Sequence, residues 1–189
     1  MKLVIFDFDD TVMHLDVNWN DVRNSIIELA QSRNIEYDWN QRVLPLSNGL
    51  ARHLKKEIDA IFFEYETACV DKKAYVVFPE MLELVDDIHS DGHRLAVASG
   101  NCTATIKKVF SEVGILEDFD FICGRDLVQN NKPDPEPLLR ILHELQMKKE
   151  ESLFIGNSKV DELAASSAGV RFYKVTDPGN DAEKIRKLI

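Results

Sequence analysis

Acidic side chains cluster at the end of the first apolar run of the chain. Residues 2–8 are rich in β-branched and aromatic residues, and Asp7, Asp9 and Asp10 stand where this run ends. Asp7 and Asp9 are two residues apart, so their carboxylates would share one face of an ideal strand. Close carboxylates repel each other unless a cation or a shared proton relieves the repulsion. The pattern favours a metal or acid–base site over its plain alternative, an acidic turn after an edge strand.

Three further polar stretches have the composition of an anion or cation site. Ser99-Gly100-Asn101 offers neutral hydrogen-bond donors to an oxyanion, although these residues also suit an ordinary capped turn. Lys132 can hold a phosphate as a point charge, or it can be a solvated lysine in a proline-rich loop. Asn157 and Asp161 offer the oxygen ligands that magnesium prefers, or they begin a helix. Each stretch is weak alone, but together they fit phosphoryl transfer through a covalent aspartyl-phosphate.

Apolar runs and helical periodicity predict the elements that hold these stretches. Continuous apolar runs predict buried parallel strands at 2–8, Arg94–Ala98, 119–123, 153–156 and 170–175. Helical spacing predicts helices at 80–90, Thr103–Val113, 135–147, 160–168 and 181–188. The regular alternation after residue 79 is typical of an α/β fold with a parallel sheet. Ligands in such folds bind beyond the carboxyl ends of the strands, so we expect the polar stretches to share one site.

Residues 16–76 break this alternation and are termed the helical insert. Helical spacing predicts helices at 20–33 and 49–70, separated by Pro45 and by Ser47-Asn48-Gly49, and no strand is predicted here. The predicted organisation is therefore an α/β core of residues 1–15 and 77–189 with an all-helical domain of residues 16–76 between its parts. The insert also contains a basic cluster, which consists of Arg52, His53, Lys55 and Lys56. We interpret this cluster as a solvated helix face rather than as a contact with an anionic substrate.

Composition excludes several classes of protein. The formal net charge is -10, from 33 acidic and 23 basic residues, which disfavours nucleic acid as a partner. Three distant cysteines without a CxxC motif argue against a disulfide framework and a zinc cluster. The first residues lack the pattern of a signal peptide, and no uncharged apolar run approaches the ~18 residues of a membrane span. We therefore expect a cytoplasmic protein, monomeric or homodimeric, with no membrane partner.

The four polar stretches resemble the motifs of the haloacid dehalogenase superfamily of phosphohydrolases. The matching residues are FDFDDT (6–11), Ser99-Gly100-Asn101, Lys132-Pro133 and GNSKVD (156–161). The resemblance covers residues 1–14 and about 78–189, and the insert lies where that family carries a helical cap. It implies a Rossmann-like α/β core with a small helical cap. It also implies a Mg²⁺-dependent phosphatase of small phosphorylated metabolites, similar to the phosphoglycolate phosphatase-like members.

The resemblance also implies roles for individual residues. Asp7 is expected to be the nucleophile that forms the aspartyl-phosphate, Asp9 the general acid and base, and Lys132 the group that neutralises developing charge. The residues expected to bind the phosphoryl group are Thr11, Ser99, Gly100, Asn101 and Lys132. The residues expected to hold Mg²⁺ are Asp7, Asp9, Asn157 and Asp161. Segments near 15–18 and 75–79 are expected to act as hinges for the cap.

Asn157 departs from the family pattern, which has Asp at this position. An amide oxygen still ligates Mg²⁺, but one negative charge is missing, so weaker metal binding is expected. This departure motivates one alternative function, a weakly active or regulatory relative. A phosphomutase that uses the same aspartyl-phosphate is the other alternative. His14 stands where many relatives carry an acid, and we expect it to be a loop histidine without a catalytic role.

Overall fold

A five-stranded parallel sheet forms the centre of the computed structural model, which describes residues 2–189. In chain order the strands are β1 Leu3–Phe6, β2 Met13–Leu15, β3 Tyr75–Val77, β4 Arg94–Ala98, β5 Phe121–Cys123, β6 Ser152–Gly156 and β7 Arg171–Lys174. The main sheet has the order β5-β4-β1-β6-β7, while β2 and β3 pair as a separate antiparallel ribbon. All five strands of the predicted sheet are thereby confirmed, with β1 in the middle.

The central strand is buried on both faces. Val4 and Phe6 pack into the apolar core on one side of the sheet, and Leu3 and Ile5 pack into the core on the other side. All four side chains have no exposed surface. A strand covered on both faces needs apolar residues at consecutive positions, which explains why β1 is a continuous apolar run rather than an alternating one.

Helices cover both faces of the sheet. In chain order they are α1 Trp19–Ser32, α2 Val43–Asp71, α3 Pro79–Ser90, α4 Thr103–Val113, α5 Glu136–Glu144, α6 Lys159–Ala168 and α7 Pro178–Arg186. The fold is thus an α/β Rossmann-like core with a small helical cap after its first strand. Among the helices of residues 2–189, none has both the length and the hydropathy needed to cross a bilayer.

Helix α2 is longer than the sequence pattern predicts. It begins at Val43, so Pro45 and Ser47-Asn48-Gly49 lie within its first turns and do not separate two elements. The prediction failed because proline is tolerated in the first turn of a helix. The backbone N–H that proline lacks would have no acceptor within the helix at that position. The helix is kinked at Leu54, whose φ is -131° and ψ is 24°.

The ribbon of β2 and β3 connects the insert to the core. Met13 pairs with Val77 and Leu15 with Tyr75, and beyond them the Asp16 amide donates to the Ala74 carbonyl at 3.0 Å. The expectation of no strand within 16–76 is therefore wrong for the first residues of β3, because strands of three residues leave little periodicity to detect. His14 also lies in a strand, β2, rather than in a loop.

Candidate active site

A cavity of about 250 Å³ lies at the carboxyl ends of β1, β4 and β6. The structure brings residues from all four polar stretches to its wall, together with four from the helical insert. From the stretches, the wall contains Asp7, Asp9, Asp10, Ser99, Gly100, Asn101, Lys132, Asn157, Ser158, Val160 and Asp161, and Asn131, next to Lys132, also lines it. From the insert, it contains Trp19, Val43, Leu44 and Phe62.

Lys132 links the first and last of these stretches. Its Nζ donates to Asp7 Oδ1 at 2.8 Å and to Asp161 Oδ1 at 2.5 Å. All three side chains are buried, with exposures of 7%, 10% and 1% for Lys132, Asp7 and Asp161. One ammonium group thus contacts two carboxylates that lie near opposite ends of the sequence.

The two carboxylates differ in the ease with which they ionise. Burial and the charge of Asp161 raise the pKa of Asp7 to about 7, and Lys132 only partly offsets them. Burial also opposes ionisation of Asp161, but Lys132 and Ser158 outweigh it and hold the Asp161 pKa below its usual range. Without a further cation, the lysine charge favours the ionised form of Asp161, while burial and the Asp161 charge favour the protonated form of Asp7.

Asp161 is positioned by the start of α6. Its Oδ2 accepts from the Ser158 amide at 2.9 Å, while the Ser158 hydroxyl accepts from the Asp161 amide, which makes a reciprocal cap of this helix. A Cβ at Gly156 would lie 2.8 Å from Asp161 Cγ, so glycine leaves the room this carboxylate occupies. Asp161 therefore caps α6 with one oxygen and faces Lys132 with the other.

Asp9 has the environment expected of a proton donor. Burial raises its pKa to about 6, although the Leu15 amide donates to Oδ1 at 2.8 Å and favours the charged form. His14 Nδ1 lies 3.6 Å from this oxygen and 2.7 Å from Asp10 Oδ1. Asp9 can therefore carry a proton at mildly acidic pH.

A buried carboxylate of the insert, Glu66, fixes the stretch that follows β4. Glu66 accepts from Asn101 Nδ2 at 3.1 Å and from the Cys102 amide at 2.9 Å. Asn101 Oδ1 in turn accepts from the Ser99 hydroxyl at 3.0 Å. The Asn101 side chain is thus held between the insert and Ser99, and the sequence gives no local signal for this long-range contact.

Glu66 gives a stability prediction. Burial raises its pKa to about 7 from 4.5, so the folded protein binds the extra proton, and its stability falls as pH rises between these values. Urea unfolding of wild type and Glu66→Gln should show that the free-energy difference, wild type minus variant, decreases by roughly 3 kcal/mol from pH 4.5 to 7.5. The exposed Glu64→Gln on the same helix is the control. A pH-independent difference would contradict the prediction.

Other predicted residues lie away from the wall or in different surroundings. Thr11 is fully buried and is not among the lining residues of 2–189. Its hydroxyl has no hydrogen-bond partner within that part of the chain. The four residues of the basic cluster do not line the cavity either; Lys55 donates to Asp59 and to the Arg125 carbonyl. Buried Arg125 and Asn131 are site neighbours for which the sequence gives no signal.

The donor set suits a hard divalent cation. Asp7 and Asp161 approach each other through Lys132, and Asn157 lines the same cavity. Because one lysine cannot neutralise two carboxylates, a second cation would allow Asp7 to ionise. Carboxylate and amide oxygens are ligands that Mg²⁺ accepts, with substrate and water filling the remaining positions.

Phosphatases are among the proteins whose sequences are similar to this chain. The chain is 32% identical over 134 residues to a phosphoglycolate phosphatase of Salmonella typhimurium, which covers 71% of this chain and 51% of that protein. It is 37% identical over 89 residues to the pyrophosphatase PpaX of Halalkalibacterium halodurans, covering 47% of this chain and 41% of that protein. The chain thus spans about half the length of the curated relatives it matches.

Solved structures share the fold. CbbY from Rhodobacter sphaeroides, determined in complex with phosphate, superposes with a TM-score of 0.65 at 22% identity, over 91% of this chain and 84% of that one. The family model of the haloacid dehalogenase-like hydrolases matches residues 4–175. Since this match covers most of the chain, including all four polar stretches, the protein belongs to the haloacid dehalogenase-like hydrolase family.

Proposed function

We propose that this protein is a Mg²⁺-dependent phosphatase of small phosphate monoesters that works through an aspartyl-phosphate on Asp7. The observation that carries the proposal is the contact of Lys132 with both Asp7 and Asp161 at the carboxyl end of the sheet. This contact supports the assignment of Asp7 as the nucleophile, Lys132 as the charge-neutralising group and Asp161 as a metal ligand within one buried site. Membership of a hydrolase family and similarity to a phosphoglycolate phosphatase support the same reaction class.

In the first half-reaction, an Asp7 carboxylate oxygen attacks phosphorus and the bond to the ester oxygen breaks. Lys132 donates to the Asp7 carboxylate and offsets negative charge beside the phosphoryl group. The Gly100 amide would donate to phosphoryl oxygens, and so would the Ser99 hydroxyl once it turns away from Asn101 Oδ1, because both residues line the cavity. Asn101 would contribute by positioning Ser99. Thr11 is buried and does not line the cavity, so its hydroxyl would reach a phosphoryl oxygen only after a local rearrangement.

Asp9 would give its proton to the departing oxygen and then take a proton from the attacking water. Water then attacks the phosphorus of the acyl-phosphate and releases Asp7 and inorganic phosphate. The raised pKa of Asp9, about 6, supports the first of these steps because the carboxyl must arrive protonated. Asp7 and Asp9 therefore divide nucleophilic and proton-transfer roles.

Mg²⁺ would be held by the Asp7 carboxylate, the Asp9 carbonyl, Asn157 and Asp161. When bound, it supplies positive charge that offsets the repulsion between the nucleophile and the phosphate. The helical insert, residues 16–76, would serve as the cap that excludes water from the site. Asn48 Nδ2, in the insert, donates to the Lys132 carbonyl at 3.1 Å, which supports a closed arrangement over the core.

Phosphate release from p-nitrophenyl phosphate tests the proposed function. Purified protein with Mg²⁺ should release phosphate steadily, and EDTA should abolish the release. A phosphomutase would instead transfer the group back to a sugar phosphate with little free phosphate. A regulatory relative would bind phosphate analogues without turnover, so absence of phosphate release with any monoester would refute the proposal.

Replacement of Asn157 by aspartate tests the metal site. Asn157→Asp restores a carboxylate at the cavity wall, and a more negative ligand set binds a divalent cation more tightly. The Mg²⁺ concentration at half-maximal rate should fall several-fold, measured by titrating Mg²⁺ in the phosphate-release assay. The exposed Asn40→Asp adds the same charge at a residue that does not line the cavity and should leave the requirement unchanged. An unchanged requirement in Asn157→Asp would show that this position is not a ligand.

A further inference from the structure

The wall that the helical insert contributes to the cavity is apolar. Within residues 2–189 its members are Trp19, Val43, Leu44 and Phe62. The Trp19 and Phe62 rings pack with their centroids 6.0 Å apart. The same cavity is lined by four acidic side chains of the core, so the apolar wall is a surface available to the part of a substrate beyond its phosphoryl group.

The cavity has no spare positive charge. Lys132 is the only basic side chain on its wall within the described residues, and its ammonium group already contacts Asp7 and Asp161. Four aspartates share that wall, Asp7, Asp9, Asp10 and Asp161. Even with one divalent cation bound, a second anionic group on the substrate would find only neutral donors, and no free positive charge, on the wall within the described residues.

Three other basic side chains, Arg125, Lys55 and Arg23, are held by protein groups. Arg125 is buried behind the wall, with Cζ 3.4 Å from the centroid of the Phe62 ring and Nε 2.9 Å from Asp59 Oδ1. Lys55 donates to Asp59 and to the Arg125 carbonyl. Arg23 donates through Nε to the Gln41 carbonyl at 2.8 Å. None of the three lines the cavity, so none offers a charge-assisted hydrogen bond to a ligand there.

We propose that this site selects phosphate monoesters whose leaving group is uncharged and apolar. The inference rests on the proposed function and narrows its substrate class. A carboxylate placed against Val43, Leu44 and Phe62 would lose water without gaining a charged partner, whereas an apolar group would gain burial. Phosphoglycolate, named for the Salmonella typhimurium relative, carries such a carboxylate and is expected to be a poor substrate here.

Binding of two isosteric phosphonates tests the inference without turnover. The probes are 3-methylbutylphosphonate and 3-phosphonopropionate, which differ in an isopropyl group against a carboxylate. In calorimetric titrations of the full chain with Mg²⁺, wild type should bind the apolar probe at least about tenfold more tightly. Equal or tighter binding of the carboxylate, or binding of neither probe, would overturn the inference.

A charge placed on the wall provides the matched variant. Leu44 is partly exposed, so Leu44→Lys can be accommodated, and it should shift the preference toward 3-phosphonopropionate by at least about tenfold. Leu44→Met keeps the wall apolar and should retain the wild-type preference. If Leu44→Lys leaves the ratio of affinities unchanged, Leu44 does not face the leaving group and the inference fails.

The outcomes separate this inference from the proposed function. Failure of every monoester to release phosphate would refute the phosphatase activity, while the two phosphonates would still report the preference of the cavity. Steady phosphate release from p-nitrophenyl phosphate together with preference for the carboxylate probe would refute only the inference.

Discussion

Asp7→Asn should lose phosphatase activity almost completely while remaining folded. The amide cannot form the aspartyl-phosphate, so kcat for p-nitrophenyl phosphate with Mg²⁺ should fall at least about 10⁴-fold, a scale seen when a nucleophile is removed. Stability should not fall with activity, because burial and Asp161 already oppose ionisation of Asp7. Urea unfolding at pH 8 in EDTA should show the variant to be as stable as wild type or more stable.

Asp16→Asn is the matched control, since Asp16 is exposed, directly follows β2 and does not line the cavity. It should retain wild-type kcat and stability. Activity of Asp7→Asn within tenfold of wild type would exclude Asp7 as the nucleophile.

Lys132→Met should strongly destabilise the metal-free protein. It leaves Asp7 and Asp161 buried without the ammonium group that contacts both, and loss of one member of a buried charge cluster costs about 3–5 kcal/mol. The loss should be largest at pH 8 in EDTA. The loss of stability should be smaller at pH 5. Without Lys132, burial raises the pKa values of both carboxylates in the folded variant, so they bind protons at pH 5. The stability of the variant therefore falls as the pH rises.

Urea unfolding at the two pH values, with and without Mg²⁺, measures this effect. Mg²⁺ should recover part of the lost stability, since it replaces the missing positive charge. Lys159→Met removes an exposed lysine that pairs with Glu162 on α6, and should cost less than about 1 kcal/mol. A decrease in the free energy of unfolding of Lys132→Met that is small, or equal at pH 5 and pH 8, would contradict this prediction. It would show that the charges of Lys132, Asp7 and Asp161 do not depend on one another.

The parallel sheet was predictable because its strands carry the strongest signal a sequence provides. Burial on both faces requires continuous apolar runs, and β1, β4 and β6 have them. The site was predictable in outline because strand ends converge at one edge of such a sheet. Lys132, which follows no strand directly, needed the family resemblance in addition.

The features that sequence reasoning missed have no local pattern. Glu66 and Arg125 act through partners far along the chain, and a buried charge in an amphipathic helix looks like any other polar position. The start of α2 was missed because Pro45 reads as a breaker unless it lies in the first turn. The ribbon of β2 and β3 was missed because three residues are too few to establish a period of two.

That ribbon makes the intervening segment exchangeable. The chain leaves the core along β2 and returns along β3, so the ends of the segment are neighbours, as the Asp16–Ala74 hydrogen bond shows. A segment whose ends already meet can grow, shrink or be replaced with little entropic cost to its host. The segment between β2 and β3 can therefore be exchanged as a unit, while β1, β4 and β6 keep the residues of the candidate site in register.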